Sequence, residues 1–407
     1  MNIKTSLFGG AGAGVILALG LGASAHAQDT TVAWKGAPQW TNDTVTFKVR
    51  GRVYMDAIHQ EVDRQTGADL TANVSRVRTA RLGVEGTWNA NWAYKAEASV
   101  SSAGGTTQWE DLILEYKPND TTSIMVGNFK TVSFENISSS RYITFMERGP
   151  FNDALDVGRV MNVAVKLNGE TWTAMAAVSG DSVNAADPAQ GPTGGSETFG
   201  ANARVTWVPI NGDATKLHLG AWARYRDRQD QANFNYQVRN NTNYGARYTS
   251  SGAVGVSDRM IGLEGLFIQG PFSVQAEWAN VDVDRLAGLN QDFRTFYVAG
   301  SWFVTGEMRN LDVKKGELGR TRILNPMTSG GFGAVELAAR YDNVDLTKIT
   351  GAPTTAGEYS AWTLGANWYP HPYVRFMANY TKSENDNPAV GADVDVETLQ
   401  FRAQFDF

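Results

Sequence analysis

Basic side chains recur at every second position in several short stretches of this sequence. Lys48, Arg50 and Arg52 form one series, Arg76 and Arg78 a second, and Arg224, Arg226 and Arg228 a third, with Lys216 and His218 in phase with it. A spacing of two puts such side chains on one face of a β-strand. A guanidinium stays charged and can grip two oxygens of an oxyanion at once. Spaced along a passage, such groups can hand an anion from site to site, provided none holds it too tightly. The competing reading is that each cation is solvated or neutralised by a carboxylate. Glu85, Glu97, Glu110, Asp111, Glu115, Glu264, Glu277 and Glu336 are available for that.

Two longer segments also carry charge. Residues 131–156 include Glu135, Asn136, Arg141, Glu147, Arg148 and Asp153. Residues 305–331 are basic: Arg309, Lys314, Lys315, Arg320 and Arg322 outnumber Glu307, Asp312 and Glu317. Catalytic chemistry is poorly supplied. There is no cysteine, which removes thiolate metal sites and disulfides. Beyond residue 27 only His59, His218 and His371 remain, and no Ser/His/acid arrangement stands out. A barrel enzyme is therefore the remote alternative, and no cofactor is expected. A net charge of −6 argues against nucleic acid as a partner.

The elements that must carry these residues are strands. In 44–55, Val45, Phe47, Val49, Val53 and Met55 alternate with Thr44, Thr46, Lys48, Arg50, Arg52 and Tyr54. A helix would mix the two sets; a strand separates them. The same alternation marks 92–100, 199–207 and 398–407. Sixteen such runs are expected, centred near 50, 82, 97, 112, 125, 164, 175, 203, 221, 263, 276, 298, 338, 365, 377 and 401. Very short turns (Asn89-Ala90-Asn91, Pro118-Asn119-Asp120, Asn168-Gly169-Glu170, Gly270-Pro271, Pro370-His371-Pro372) alternate with polar loops near 58–73, 131–156, 180–196, 229–256, 283–291, 344–360 and 383–394. Short turns on one side and long loops on the other predict an all-β fold: a 16-stranded antiparallel transmembrane β-barrel. Its polar face lines water and its apolar face meets outer-membrane lipid. Trp88, Trp92, Tyr116, Trp207, Phe272, Trp368, Tyr369 and Tyr373 lie beside the short turns and predict an aromatic girdle.

The first 27 residues read as a signal peptide. Lys4 is followed by an apolar stretch over 7–23, and Ala25-His26-Ala27 supplies the small residues of a cleavage site. Residues 28–43 are then a short periplasmic N-terminal segment, and 44–407 the barrel. No later window is long and apolar enough for a spanning helix. Export and membrane strands together predict the bacterial outer membrane.

Several stretches, in order, resemble the phosphate-selective porins of the O and P type. They include Phe47-Lys48-Val49-Arg50-Gly51-Arg52-Val53, then Arg78-Thr79-Ala80-Arg81-Leu82-Gly83-Val84-Glu85-Gly86-Thr87, then Val126-Gly127-Asn128-Phe129-Lys130. The most specific is Ser138-Ser139-Ser140-Arg141-Tyr142-Ile143-Thr144-Phe145-Met146-Glu147-Arg148; Val304-Thr305-Gly306-Glu307, Glu336-Leu337-Ala338-Ala339-Arg340-Tyr341 and Leu364-Gly365-Ala366-Asn367-Trp368-Tyr369 follow. The resemblance implies a homotrimeric porin passing small anionic or polar solutes by passive diffusion. It also implies that 131–156 folds into the barrel as a constriction loop carrying Glu135, Asn136, Arg141 and Glu147. The turn over 305–331 is implied to fold inward too, which would bring Lys314, Lys315, Arg320 and Arg322 toward the channel axis. Arg50, Arg52, Arg78, Arg148, Arg224, Arg226 and Arg228 are the remaining pore-lining candidates. There is one departure. Phosphate-selective members tend to carry a lysine just after the Phe-x-Glu stretch and another before the proline of the inward turn; here Asn136 and Asn325 stand at those places. That argues against a site of concentrated lysines and keeps open a general porin without a phosphate site.

Overall fold

Period-two alternation becomes sixteen antiparallel barrel strands in a computed structural model that describes residues 30–34, 36–100, 107–185, 197–228, 234–285, 291–349, 356–386 and 393–407. The expected signal peptide, 1–27, lies outside the described residues. The barrel strands are β1 (Val45–Arg64), β2 (Leu70–Trp88), β3 (Trp92–Val100), β4 (Thr107–Asn119), β5 (Thr122–Phe129), β6 (Val160–Asn168), β7 (Trp172–Ser179) and β8 (Phe199–Asn211). They continue as β9 (Thr215–Asp227), β10 (Ser250–Gln269), β11 (Phe272–Arg285), β12 (Gln291–Phe303), β13 (Ala334–Asp345), β14 (Glu358–His371), β15 (Val374–Asp386) and β16 (Val394–Asp406). Each pairs with its neighbours in sequence, and β16 closes the sheet on β1 from Val394↔Arg64 to Asp406↔Arg52. Closure pairs every barrel strand on both sides, which the hydrocarbon region demands.

Within the membrane the sidedness is inverted relative to a soluble protein. Leu263, Leu364 and Phe401 are more than half exposed on the outside, while Arg402, Gln404 and Asp406 are buried inside. No helix of the described residues is long and apolar enough to cross a membrane; the strands are the crossing elements. Above the lipid the sidedness reverses. On β1 and β16, Val62, Val394 and Val396 form a buried inner cluster, and Glu61, Asp63 and Asp395 face outward. The strands therefore project beyond the outer lipid surface. The loops expected at 58–73 and 383–394 are correspondingly short: β1 runs to Arg64, β2 starts at Leu70, and β15 runs to Asp386.

Two bulges re-aim inner residues. One in β2 lies opposite Tyr54/Met55, so Tyr54 faces Thr79 and Met55 faces Val77, with Arg78 the extra residue. Arg76 and Arg78 both reach the lumen, Arg76 donating to the Asn243 carbonyl at 2.6 Å and Arg78 to Glu147, and the bulge turns the adjacent Thr79 inward as well. The second lies between β3 and β4, opposite Ala96 and Ala98, and turns the consecutive Glu110 and Asp111 toward one partner, Arg159. Bulges bend a strand and redirect side chains in this way. Most of the girdle sits as expected, with Trp88, Trp207 and Phe272 exposed outside. Tyr369 and Tyr373 are exceptions. The Tyr369 hydroxyl donates to Glu336 at 2.7 Å and the Tyr373 ring lies 4.6 Å from the Arg320 guanidinium, so both belong to the lumen side.

Candidate functional site: the constricted lumen

The segment between β5 and β6 folds into the barrel because its apolar side chains find an inner wall to cover. It contains two short helices, α1 (Phe134–Ile137) and α2 (Pro150–Ala154). Phe134, Phe151 and Leu155 are fully buried. Phe151 and Leu155 join a core formed with the inner faces of β9–β14, including Trp222, Met260, Val281, Phe293, Tyr297 and Tyr359. Charged anchors fix the loop. The Glu277 carboxylate accepts the backbone N–H groups of Phe134 and Glu135, each at 2.8 Å. Arg340 reaches Glu135 at 3.4 Å and the Glu147 carbonyl at 3.3 Å while pairing with Asp342 at 2.9 Å. Arg375 donates to the Ile143 carbonyl at 2.8 Å. Glu147 accepts Arg78 through both oxygens at 2.8 Å and Arg402 at 2.7 Å. Burial pushes the Glu147 carboxyl up, but Arg78 and Arg402 outweigh this and hold it below the usual carboxylate range.

Glu277 offers a direct test of this anchoring. In Glu277→Leu two buried loop N–H groups lose their acceptor, each costing about 1–3 kcal/mol. The expected result is a channel with larger open-state current noise and a lower unfolding temperature in detergent. Wild-type noise would remove Glu277 from the account.

The long periplasmic connection between β12 and β13 also enters the barrel. Its hairpin pairs Asn310–Asp312 with Glu317–Gly319. Leu311 and Leu318 are buried against Phe134, Ile143, Val208, Leu266 and Ile268. Arg204 is held by Glu264 at 2.5 Å and donates to the Gly316 carbonyl at 2.7 Å. The Leu318 N–H donates to Ser138 Oγ at 3.0 Å, so hairpin and constriction loop touch. His218 is fully buried and paired with Glu264 at 3.0 Å. A third inward element has no signal in the sequence beyond an ordinary polar loop. It follows β9, contains the strand Phe234–Gln237, and buries Asn240 and Asn241. Asn241 bridges Arg340, Asp342 and Thr363.

These three elements pack against the inner wall of β8–β14. The Arg340–Asp342 pair there is 0–1% exposed. Along β1–β4 some inner charges stay partly open to water: side-chain exposure is 34% for Glu85, 25% for Lys95 and 23% for Arg78. These more exposed inner charges lie on the β1–β4 wall, although Arg50, Arg52 and Glu97 on the same wall are nearly sealed.

Most candidate cations are brought to this lumen but arrive with partners. Arg50 pairs with Glu85 and with Glu97 at 3.0 Å; Arg52 pairs with Glu97 at 3.0 Å and donates to Ser140 at 2.8 Å. Arg226 is neutralised by Asp258 at 2.5 Å and Asp156 at 2.9 Å. Its neighbours differ: Arg224 donates to the Asp156 carbonyl at 2.9 Å, and Arg228 approaches Asp181 at 3.5 Å. Arg320 pairs with Asp406 below the constriction. Lys315 pairs with Asp312 at 3.2 Å at the hairpin tip, beside exposed Lys314. Arg322 lies beyond the hairpin and is exposed. The Asn136 amide is turned into the loop, donating to the Val132 and Val157 carbonyls at 3.0 and 2.6 Å. Arg141 donates to the Phe407 carbonyl oxygen at 3.3 Å.

Arg76, Arg224, Arg309 and Arg375 lack an ion pair among the described residues, as do Lys130 and Arg148, but only Lys130 and Arg148 come together on the constriction loop. Lys130 Nζ donates to the Asn136 carbonyl at 3.1 Å, and Arg148 donates to the Glu135 and Ser138 carbonyls at 3.0 and 2.5 Å. Both are half-buried, both converge on the carbonyl end of α1, and neither has a carboxylate within 4.0 Å among the described residues. Burial pushes the Lys130 ammonium well below its ordinary value; Arg148 and Arg159 add to this, against Asp111 and Glu110. Lys130 was not singled out from the sequence. Only its place at the root of the loop, immediately after β5, marked it. Among the described residues no group of three His, Asp or Glu could hold a metal ion.

Comparison with known proteins agrees with this architecture. Porin O of Pseudomonas aeruginosa is 26% identical over 422 residues, covering 91% of this chain and 93% of its own length. A Caulobacter vibrioides protein is 29% identical over 364 residues, covering 86% of this chain and 71% of its own. Among solved structures, an anion-selective porin from Comamonas acidovorans superposes with a TM-score of 0.57 at 12% identity, covering 89% of this chain and all of that one. The outer membrane channel DcaP of Acinetobacter baumannii gives 0.55 at 12%, covering 90% and 99%. At such identities these structures bear on the fold alone. The family model for phosphate-selective porin O and P matches residues 47–407, from the first barrel strand to the last residue, and the chain belongs to that family.

Proposed function

We propose that this protein is an outer-membrane porin for passive diffusion of small hydrophilic solutes, with a preference for anions of the phosphate type. The observation that carries the reading is Lys130 and Arg148: two half-buried cations together on the constriction loop, without a carboxylate partner among the described residues. Along β1–β4, Lys48, Arg50, Arg52, Arg81 and Lys95 are paired with Glu85, Glu97, Glu110 or Asp111. An oxyanion entering the constriction meets free donors there, since Lys130 uses one of its three N–H groups and Arg148 leaves Nη1 unengaged. Arg50, Arg52 and Arg78 then act as flanking positive groups whose carboxylate partners compete with the solute, which keeps binding weak enough for release. OmpT of Vibrio cholerae, a neighbour in fold, has been solved in a trimer form. We propose a homotrimer here as well. The membrane-inserted channel supports no catalytic role for His218, which is sealed from solvent.

The test is block of chloride current by inorganic phosphate in planar bilayers. Lys130 makes the block pH-dependent. Its ammonium is depressed, so raising the pH through that depressed value removes a charge and weakens the block; lowering the pH restores it. Lys130→Arg should keep block constant over the same range. Block that does not weaken with rising pH would exclude Lys130 from the site. Anion preference without any phosphate block would instead favour a general anion-preferring porin, in keeping with Asn136 and Asn325.

A further inference from the structure

The barrel seam is incomplete at its periplasmic end without residues that precede it. Strand β16 ends at Asp406 opposite Arg52, and the Phe407 backbone makes the last contacts, with Gly51, at 2.9 and 3.0 Å. Below that point β1 has no partner on the β16 side. The strand Pro38–Thr41 takes the place, pairing Gln39↔Lys48, Trp40↔Phe47 and Thr41↔Thr46. It is one arm of a hairpin whose other arm, Thr31–Trp34, pairs Val32↔Trp40 and Trp34↔Pro38. Gly36 and Ala37 are seated on the barrel: Ala37 is buried, and Gly36 (φ +83°) lies so close to Tyr373 that a Cβ would fall 2.7 Å from its ring.

The two faces of this hairpin differ sharply. Directly opposed residues share a face. One face therefore carries Val32, Trp34, Pro38 and Trp40, continuous with Phe47 on the lipid side of β1. The other carries Thr31, Ala33, Gln39 and Thr41, continuous with lumen-facing Lys48. Val32 and Trp34 are 66% and 74% exposed. The Trp40 and Phe47 rings are 5.5 Å apart, which joins the hairpin to the periplasmic girdle.

We infer that the hairpin 31–41 is a membrane-interface anchor that closes the seam, with Val32, Trp34 and Trp40 lodged in the phospholipid headgroup region of the periplasmic leaflet. The occupant is lipid because the apolar face is an uninterrupted extension of the girdle that already meets lipid. Indole rings favour that level, with an apolar body and a polar N–H. Seam backbone groups at that depth also need partners that water cannot reliably supply. The assignment revises the expectation that 28–43 is merely a periplasmic segment, and the hairpin precedes the residues matched by the family model.

The absence of native cysteine makes the test direct. Single nitroxide labels at Val32→Cys, Ala33→Cys and Trp34→Cys are compared in the folded protein in phosphatidylethanolamine/phosphatidylglycerol vesicles, with folding checked by heat-modifiable gel mobility. The expected result is a high ratio of oxygen to nickel-chelate collisions at 32 and 34 and a low ratio at 33. Equal, water-like nickel access at all three positions would overturn the inference. So would loss of both oxygen and nickel access at 32 and 34, which would indicate coverage by a second copy of the chain. If a label at 34 prevents folding, labels at 32 and 33 alone give the same contrast.

Discussion

Reversing Lys130 and Arg148 together to glutamate should convert an anion-preferring channel into one that passes cations at least as readily. The reason lies in how charge is balanced along the open wall. Arg50, Arg52, Arg81, Lys95 and Arg159 each lie against Glu85, Glu97, Glu110 or Asp111, so a passing ion meets near-neutral clusters there. Lys130 and Arg148 meet only backbone carbonyls. A unit charge ~4 Å from an ion contributes about 1–4 kcal/mol between bulk-water and protein-surface dielectrics. About 1.4 kcal/mol changes a permeability ratio tenfold. Exchanging two positive for two negative charges therefore exceeds what reversal requires. Lys130→Gln with Arg148→Gln should give an intermediate ratio. Arg259→Glu, on the outer surface and 65% exposed, should leave it unchanged. Retained anion preference in the folded double glutamate variant would show that selectivity resides elsewhere in the lumen.

The second large effect concerns the anchoring of the constriction. Arg340→Met should destabilise the protein by about 3–5 kcal/mol, the cost of breaking a buried ion pair by removing one partner. Arg340 is 1% exposed and is shared by Asp342, Glu135, the Glu147 carbonyl and Asn241, with the Phe145 ring 4.6 Å away. Its loss strands the buried Asp342 carboxylate and frees both the constriction loop and the loop carrying Asn241. Single-channel conductance should rise and the unfolding midpoint should fall. A variant with wild-type conductance and stability would mean that these contacts do not hold the loop. Arg340→Met with Asp342→Leu should recover much of the stability, because both charges are then gone.

The sequence makes the barrel legible where the strands cross lipid. Every expected strand centre, from 50 to 401, falls within a different barrel strand. The alternation that reveals them depends on lipid outside and water inside. Above the outer lipid surface that condition ends, and β1 places Val62 inside and Glu61 and Asp63 outside. Those ends look like polar loops in the sequence, so the expected loops were too long. The site was legible in composition but not in pairing. Arg226 follows the alternation faithfully, yet Asp258, on the adjacent β10, cancels it. The bulge at Arg78 breaks the parity rule, and nothing in the local residue types announces it. Asn240 and Asn241 have the composition of any exposed loop, and only the fit to Arg340, Asp342 and Asn385 draws them inside. Lys130 escaped notice because a lysine at the end of a strand is ordinary; its significance is the lack of a carboxylate, a fact of three dimensions.

The proposed anion preference requires that Lys130 and Arg148 present uncompensated positive charge at the constriction. The zero-current potential of the wild-type protein across a tenfold potassium chloride gradient tests this most directly. A potential of the sign set by chloride is the predicted result. A potential set by potassium would contradict the account, whatever the variants do.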